Sequence, residues 1–107
     1  MQYLGNINVG GFSYAVSVAT EDEEPFLEGS WGYTDLENKK IVLHASERED
    51  DRNFSLFHEL IHCASNCLRI TAKFDKEDDV LPFSHILYAA LIDAIGKGIL
   101  KVTMGST

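Results

Sequence analysis

Residues 54–65 read FSLFHELIHCAS and contain the pentapeptide HELIH, which presents His58, Glu59 and His62. In this region the apolar residues recur with the spacing of an amphipathic helix. They are Phe54, Phe57, Leu60, Ile61, Ala64 and Leu68. Upstream, Ser46 and Glu49 have the spacing of a capping box, which marks a helix start. We therefore predict a helix over about residues 47–68 that carries the HELIH side chains.

The rest of the chain predicts a small sheet before this helix and one helix after it. Segments 2–9 and 12–19 are rich in β-branched and aromatic residues and flank Gly10 and Gly11, a hairpin pattern. Shorter strands are predicted near 31–34 and over 40–45. A second helix is predicted over about 79–95, before the stop signals Gly96 and Gly98. We expect one α+β domain over residues 1–107, with a small antiparallel sheet followed by two helices.

The spacing of HELIH suits metal-assisted hydrolysis. On a helix, residues four apart lie on one face, so His58 and His62 can both direct a ring nitrogen at one ion. Glu59 lies beside that face and can act as the general base toward a water on the metal. By chance, a chain of this length contains HExxH only about a few times in a thousand. We predict a Zn²⁺ site with His58 and His62 as ligands and Glu59 as the catalytic residue.

A third metal ligand has to come from outside the pentapeptide. His85 is the first choice, because it is the only histidine downstream of HELIH and interrupts the apolar run of the second helix at SHILY. Asp78 is the alternative, and Glu77 and Asp79 are close to it in sequence.

Composition excludes several classes of partner. The 107 residues include 17 acidic and 9 basic side chains, a formal net charge of −8, which argues against nucleic acid or an anionic membrane as the main partner. No signal peptide or membrane-spanning run is evident. Cys63 and Cys67 are four residues apart on the predicted helix, where a disulfide would be strained, so we expect thiols and a cytoplasmic location. Trp31 is expected in the core, although the tripeptide WGY before an edge strand could instead line a substrate cleft.

The stretches GYTDLENKKIVLHAS and SLFHELIHCAS, and more weakly VLPFSHILYAAL, resemble zincin-type metallopeptidases. The resemblance is to small phage- or prophage-encoded HExxH proteins and minimal gluzincins. It implies a zincin-like fold in which the strand before the HELIH helix borders the active site and a later helix donates the third ligand. The chain departs from the gluzincin pattern at Leu81, four residues before His85, and from the metzincin pattern at Ser65 and Leu68.

The function predicted from these observations is that of a zinc-dependent metallopeptidase acting on a protein or peptide. The substrate would extend along strand 40–45, which is expected to be an edge strand of the sheet. The alternative is a catalytically inactive zincin-fold binding protein, phage-encoded and directed at a host protein, with the acidic segments EDEEP, EREDD and DKEDD as its contact surfaces. A third hypothesis is a purely structural metal. The sequence indicates neither the substrate nor the oligomeric state.

Overall fold

The computed structural model describes residues 1–71 and 80–101, which form a four-stranded mixed sheet and two helices. The strands are β1 (Gln2–Val9), β2 (Phe12–Ala19), β3 (Gly32–Asp35) and β4 (Lys40–His44). The helices are α1 (Glu49–Thr71) and α2 (Val80–Gly96), and a short 3-10 helix (Pro25–Leu27) follows β2. The predicted α+β class is confirmed.

Strands β1 and β2 form the predicted hairpin. They pair antiparallel, with Val9 opposite Phe12 at the turn. Gly10 and Gly11 have φ angles of +61° and +91°, which residues with a side chain rarely adopt. A two-residue turn of this kind matches the twist of the flanking strands, so the glycine pair fixes the register of the hairpin.

The sequence predicted an antiparallel sheet, but the observed sheet is mixed. Its strand order is β1-β2-β4-β3, and β2 pairs parallel with β4 from Ala15–Lys40 to Ala19–His44. The chain leaves β2, crosses to the far side of the sheet to form β3, and returns antiparallel as β4 between them. Strand β4 therefore has a neighbour on each side, and β3 is the edge strand.

The core lies between the sheet and the helices. Leu56, Leu60, Cys63 and Ala64 of α1 are buried against the sheet, as are Ala90 and Ala94 of α2. The sheet contributes buried side chains that include Ile7, Val9, Tyr14, Val16, Val18, Ile41 and Leu43. Burying a side chain such as Leu60 stabilises the fold by about 1.5–3 kcal/mol.

Helix α1 begins two residues later than predicted. Ser46 does not cap it: its Oγ lies 2.8 Å from Nδ1 of His44, at the end of β4. The first turn contains Glu49, Asp50 and Asp51. Negative charges there interact favourably with the positive end of the helix dipole. Helix α2 agrees with the prediction to within one residue at each end. Neither of these two described helices is long and apolar enough to cross a membrane.

Candidate functional site

His58 and His62 lie one turn apart on the exposed face of α1 and their rings converge. The two Nε2 atoms are 3.2 Å apart, and the rings meet edge to face with centroids 4.8 Å apart. Two nitrogens bound to one tetrahedral zinc, each at 2.0–2.1 Å, are separated by about 3.3 Å. The observed separation of the two Nε2 atoms is close to this value.

Glu59 points away from solvent, toward the sheet. It is only 6% exposed, although both neighbouring histidines are exposed. Thr34 of β3 donates a hydrogen bond from Oγ1 to Oε1 of Glu59 at 2.8 Å. This bond fixes the carboxylate at the junction of α1 and β3, with Oε1 occupied.

Gly32, two residues before Thr34, borders the second oxygen of Glu59. A Cβ at Gly32 would lie 3.7 Å from Oε2 and only 3.1 Å from the carbonyl oxygen of Val42. The missing side chain therefore leaves space beside Oε2. This is the oxygen that Thr34 does not engage.

A groove between α1 and β3 contains these groups, and we call it the α1–β3 groove. Its histidine end, about 320 Å³, is lined by Thr34, His58, Glu59 and His62 among others. A middle section of about 330 Å³ shares His58 and Glu59 with that end. An acidic end of about 470 Å³ shares Trp31 and Phe54 with the middle and is also lined by Glu47 and Asp51. Neighbouring sections share lining residues, so the three lie in sequence along α1.

The free edge of the sheet beside this groove is that of β3. The expectation that segment 40–45 is an edge strand is wrong, because β4 is paired on both sides. The backbone N–H of His44 donates to the carbonyl of Trp31 at 2.9 Å. In an antiparallel pair the bonded residues alternate, so the backbone groups of Gly32 and Thr34 face away from β4. Among the described strands, none borders that side.

The structure does not place His85 with the HELIH histidines. His85 is exposed on α2 and lines a different groove, with Asn8, Gly10 and Asp93. Asp78 lies outside the described residues, as do Glu77 and Asp79. Within residues 1–71 and 80–101, no group of three or more His, Cys, Asp or Glu side chains is placed to hold a metal ion. The third ligand stays a prediction.

Two aromatic residues stand between the middle and the acidic end. Trp31 was expected in the core, with the lining of a substrate cleft as the alternative, and Phe54 was counted in the apolar stripe of the helix. They are 60% and 71% exposed, and both line the groove. Trp31 packs edge to face on His44, with ring centroids 5.6 Å apart. The expected core positions of both residues were wrong, because an apolar residue type alone cannot distinguish a core position from the wall of an open groove.

Two further residues of the groove had no sequence signal of their own. Thr34 is an ordinary strand residue in a short segment, and only the fold shows that it contacts Glu59. Glu47 was read as part of a helix start but is buried, with its Oε1 accepting a 2.7 Å hydrogen bond from Ser55.

Cys63 and Cys67 do not form a disulfide, in agreement with the prediction. Both are buried on the core side of α1. Burial raises the pKa of the Cys63 thiol to about 12. A thiol that holds its proton this tightly is a poor nucleophile and a poor metal ligand, which supports a structural role.

Comparison of the chain with protein-family models, with curated proteins and with solved structures gave no match. The resemblance to zincins therefore depends on HELIH and the segments around it.

Proposed function

We propose that this protein is a zinc-dependent peptidase whose active site is the α1–β3 groove. The observation that carries the proposal is the 3.2 Å separation of the Nε2 atoms of His58 and His62, in the same groove as the carboxylate of Glu59. The HELIH helix supplies two of the three protein ligands that catalytic zinc sites use, together with a candidate general base. The thiols Cys63 and Cys67 support a cytoplasmic location for this enzyme.

Each of the three residues has a defined role. His58 and His62 would hold the zinc, which acts as a Lewis acid and makes a bound water more acidic. Glu59 takes a proton from water in the groove and passes it to the leaving amine. Because Thr34 occupies Oε1, the proton is carried by Oε2, on the side that Gly32 leaves open.

The substrate in this proposal is an extended peptide that adds to the edge of β3. The backbone groups of Thr34 face outward there, and a peptide can pair with them as an additional strand. This replaces the predicted role of segment 40–45, whose backbone is already paired on both sides. A peptide held at Thr34 also lies close to Glu59, since the Thr34 side chain contacts that carboxylate.

Metal content tests the first part of the proposal. Protein purified without a metal-affinity tag is analysed by mass spectrometry, with His58→Ala, His62→Ala, His85→Ala and Asp78→Ala beside the wild type. We expect one zinc per chain in the wild type and loss of zinc in both HELIH variants. Loss in one of the other two variants identifies the third ligand. Wild-type protein that takes up no zinc from buffer contradicts the proposal.

Hydrolysis tests the second part. Glu59→Gln should retain zinc but cleave a mixed fluorogenic peptide library about 100- to 10,000-fold more slowly than the wild type, since the general base is lost. Stoichiometric zinc with no cleavage by the wild type would instead favour the binding-protein alternative.

A further inference from the structure

The acidic end of the α1–β3 groove combines two exposed aromatic faces with two carboxylates. Trp31 and Phe54 stand where it meets the middle section, and Glu47 and Asp51 line it beyond them. Aromatic faces attract cations through their quadrupole, and carboxylates pair with them directly. The combination is suited to a long basic side chain with an apolar stem.

Glu47 provides the strongest evidence that the acidic end binds a cationic group. Its side chain is 9% exposed, and Oε1 accepts a hydrogen bond from Ser55 at 2.7 Å. Its second oxygen, Oε2, is buried and has no hydrogen-bond partner among the described residues. A buried carboxylate oxygen without a donor is costly, so a donor arriving through the groove would be stabilised there.

Two described arginines lie beside the acidic end, and neither donates a hydrogen bond to this oxygen. Nη2 of Arg52 donates to the backbone carbonyls of Ala45 at 3.5 Å and of Glu47 at 3.3 Å. Arg48 is one of the residues that line the acidic end; its side chain is 90% exposed, and its Nε lies 3.8 Å from Oδ2 of Asp51. Burial raises the pKa of the Glu47 carboxyl above its ordinary value, and both the hydrogen bond from Ser55 and the charge of Arg52 favour the ionised form and oppose that shift. A cation at Oε2 would favour the ionised form further.

We propose that the acidic end is a specificity pocket for a lysine or arginine side chain of an extended peptide that lies in the α1–β3 groove. The basic side chain passes between Trp31 and Phe54 and ends at Glu47 and Asp51. The inference rests on the proposed function in taking an extended peptide as the ligand. It does not require zinc to be bound.

Binding to the metal-free chain of residues 1–107 tests this pocket without any hydrolysis. The probes are acetyl-Ala-Arg-Ala-amide and the same peptide with citrulline, which keeps the shape of arginine but has no charge. The readout is the fluorescence of Trp31, the only tryptophan of the chain. We expect the arginine peptide to change this fluorescence and to bind about tenfold more tightly than the citrulline peptide, the effect of one charge-assisted hydrogen bond.

Three variants test which carboxylates produce the preference for the arginine peptide. Glu47→Gln should reduce the preference for arginine to less than about twofold, and Asp51→Asn should reduce it in part. Asp50→Asn is the matched control: it removes the same charge from the same turn of α1, but Asp50 does not line the acidic end. Its preference should equal that of the wild type. If Glu47→Gln does not fold, the comparison of Asp51→Asn with Asp50→Asn decides whether the acidic end produces the preference.

Equal binding of the two peptides to the wild type would refute the proposed pocket. A preference for the arginine peptide that persists in both Glu47→Gln and Asp51→Asn would also refute it. Either result leaves the zinc experiment untouched. Conversely, a wild type that binds no zinc but prefers the arginine peptide refutes the peptidase and supports the pocket. The two proposals can therefore fail separately.

Discussion

Replacing Thr34 with valine should destabilise the protein through a single hydrogen bond. Valine has nearly the shape of threonine but cannot donate to Oε1 of Glu59, which now receives that bond at 2.8 Å. A hydrogen bond to a charged group contributes about 1.5–3 kcal/mol. Thr34 is only half buried, so water can partly replace its hydroxyl. We therefore expect the free energy of unfolding to fall by about 1.5 kcal/mol, the lower end of this range.

A double-mutant cycle isolates this bond from other effects of the substitution. The second position is changed by Glu59→Met, which keeps the length of the side chain and removes its acceptors. Urea unfolding of the four proteins, followed by circular dichroism, gives the coupling free energy between the two positions. We expect a coupling of about 1–1.5 kcal/mol. Thr34→Ser is the control, since it retains the hydroxyl and should recover most of the loss.

The refuting result is specific. If Thr34→Val unfolds at the same urea concentration as the wild type and the coupling is close to zero, β3 does not hold the carboxylate of Glu59. The assignment of Oε2 as the proton-carrying oxygen would then lose its basis, although the paired histidines would not be affected.

Two predictions concern stability. Gly10→Ala should lower the free energy of unfolding by about 2–4 kcal/mol, because the new Cβ would meet Sγ of Cys67 at 2.2 Å at a positive φ. Gly11→Ala, with open space around it, should cost only about 1–2 kcal/mol, and equal losses in urea would contradict the clash. Burial raises the pKa of Cys63 and of Tyr14 to about 12, from 9.0 and 10.0. The contribution of these two groups to stability should therefore be constant below about pH 9 and fall toward pH 12, by at most about 1.4 kcal/mol per pH unit for each group. If the free energy of unfolding falls as steeply with pH in Cys63→Ala as in the wild type, the Cys63 thiol does not contribute to the fall.

The parts of the fold that the sequence predicted are those determined by neighbours along the chain. The hairpin follows from Gly10 and Gly11 between two strand-forming segments, and the predicted strand bounds match β1 and β2. Both helices follow from spacing that local contacts enforce. The pairing of β2 with β4 is different, because it depends on where a crossing of about 20 residues places β3. No local pattern encodes that placement.

One signal for the interior position of β4 was nevertheless present. Its three consecutive apolar residues, Ile41, Val42 and Leu43, are all buried, so both faces of the strand are covered. Val42 packs with Ala19 and Leu27 on one face, and Ile41 and Leu43 belong to the main core on the other. A strand of this kind reads as a continuous apolar run, which is typical of an interior strand and not of an edge.

At the site, the sequence predicted that the three HELIH side chains lie together on α1, but it did not identify Thr34 and Glu47, which lie in the same groove. His58, Glu59 and His62 come together because helical spacing alone places them. Thr34, Trp31 and Glu47 reach the groove from other segments, so their roles depend on how the chain folds back on α1. For the same reason spacing could not decide between His85 and Asp78 as third ligand.

The two proposals constrain each other through the geometry of α1. Asp51 and His58 are seven residues apart on the helix, which corresponds to about 10 Å along its axis. An extended peptide advances about 3.3 Å per residue, so about three residues span that distance. A peptide that fills the whole groove would therefore place its basic side chain about three residues from the bond next to His58. The pocket would then select the segment to be cut while leaving the residues at the cleaved bond free to vary.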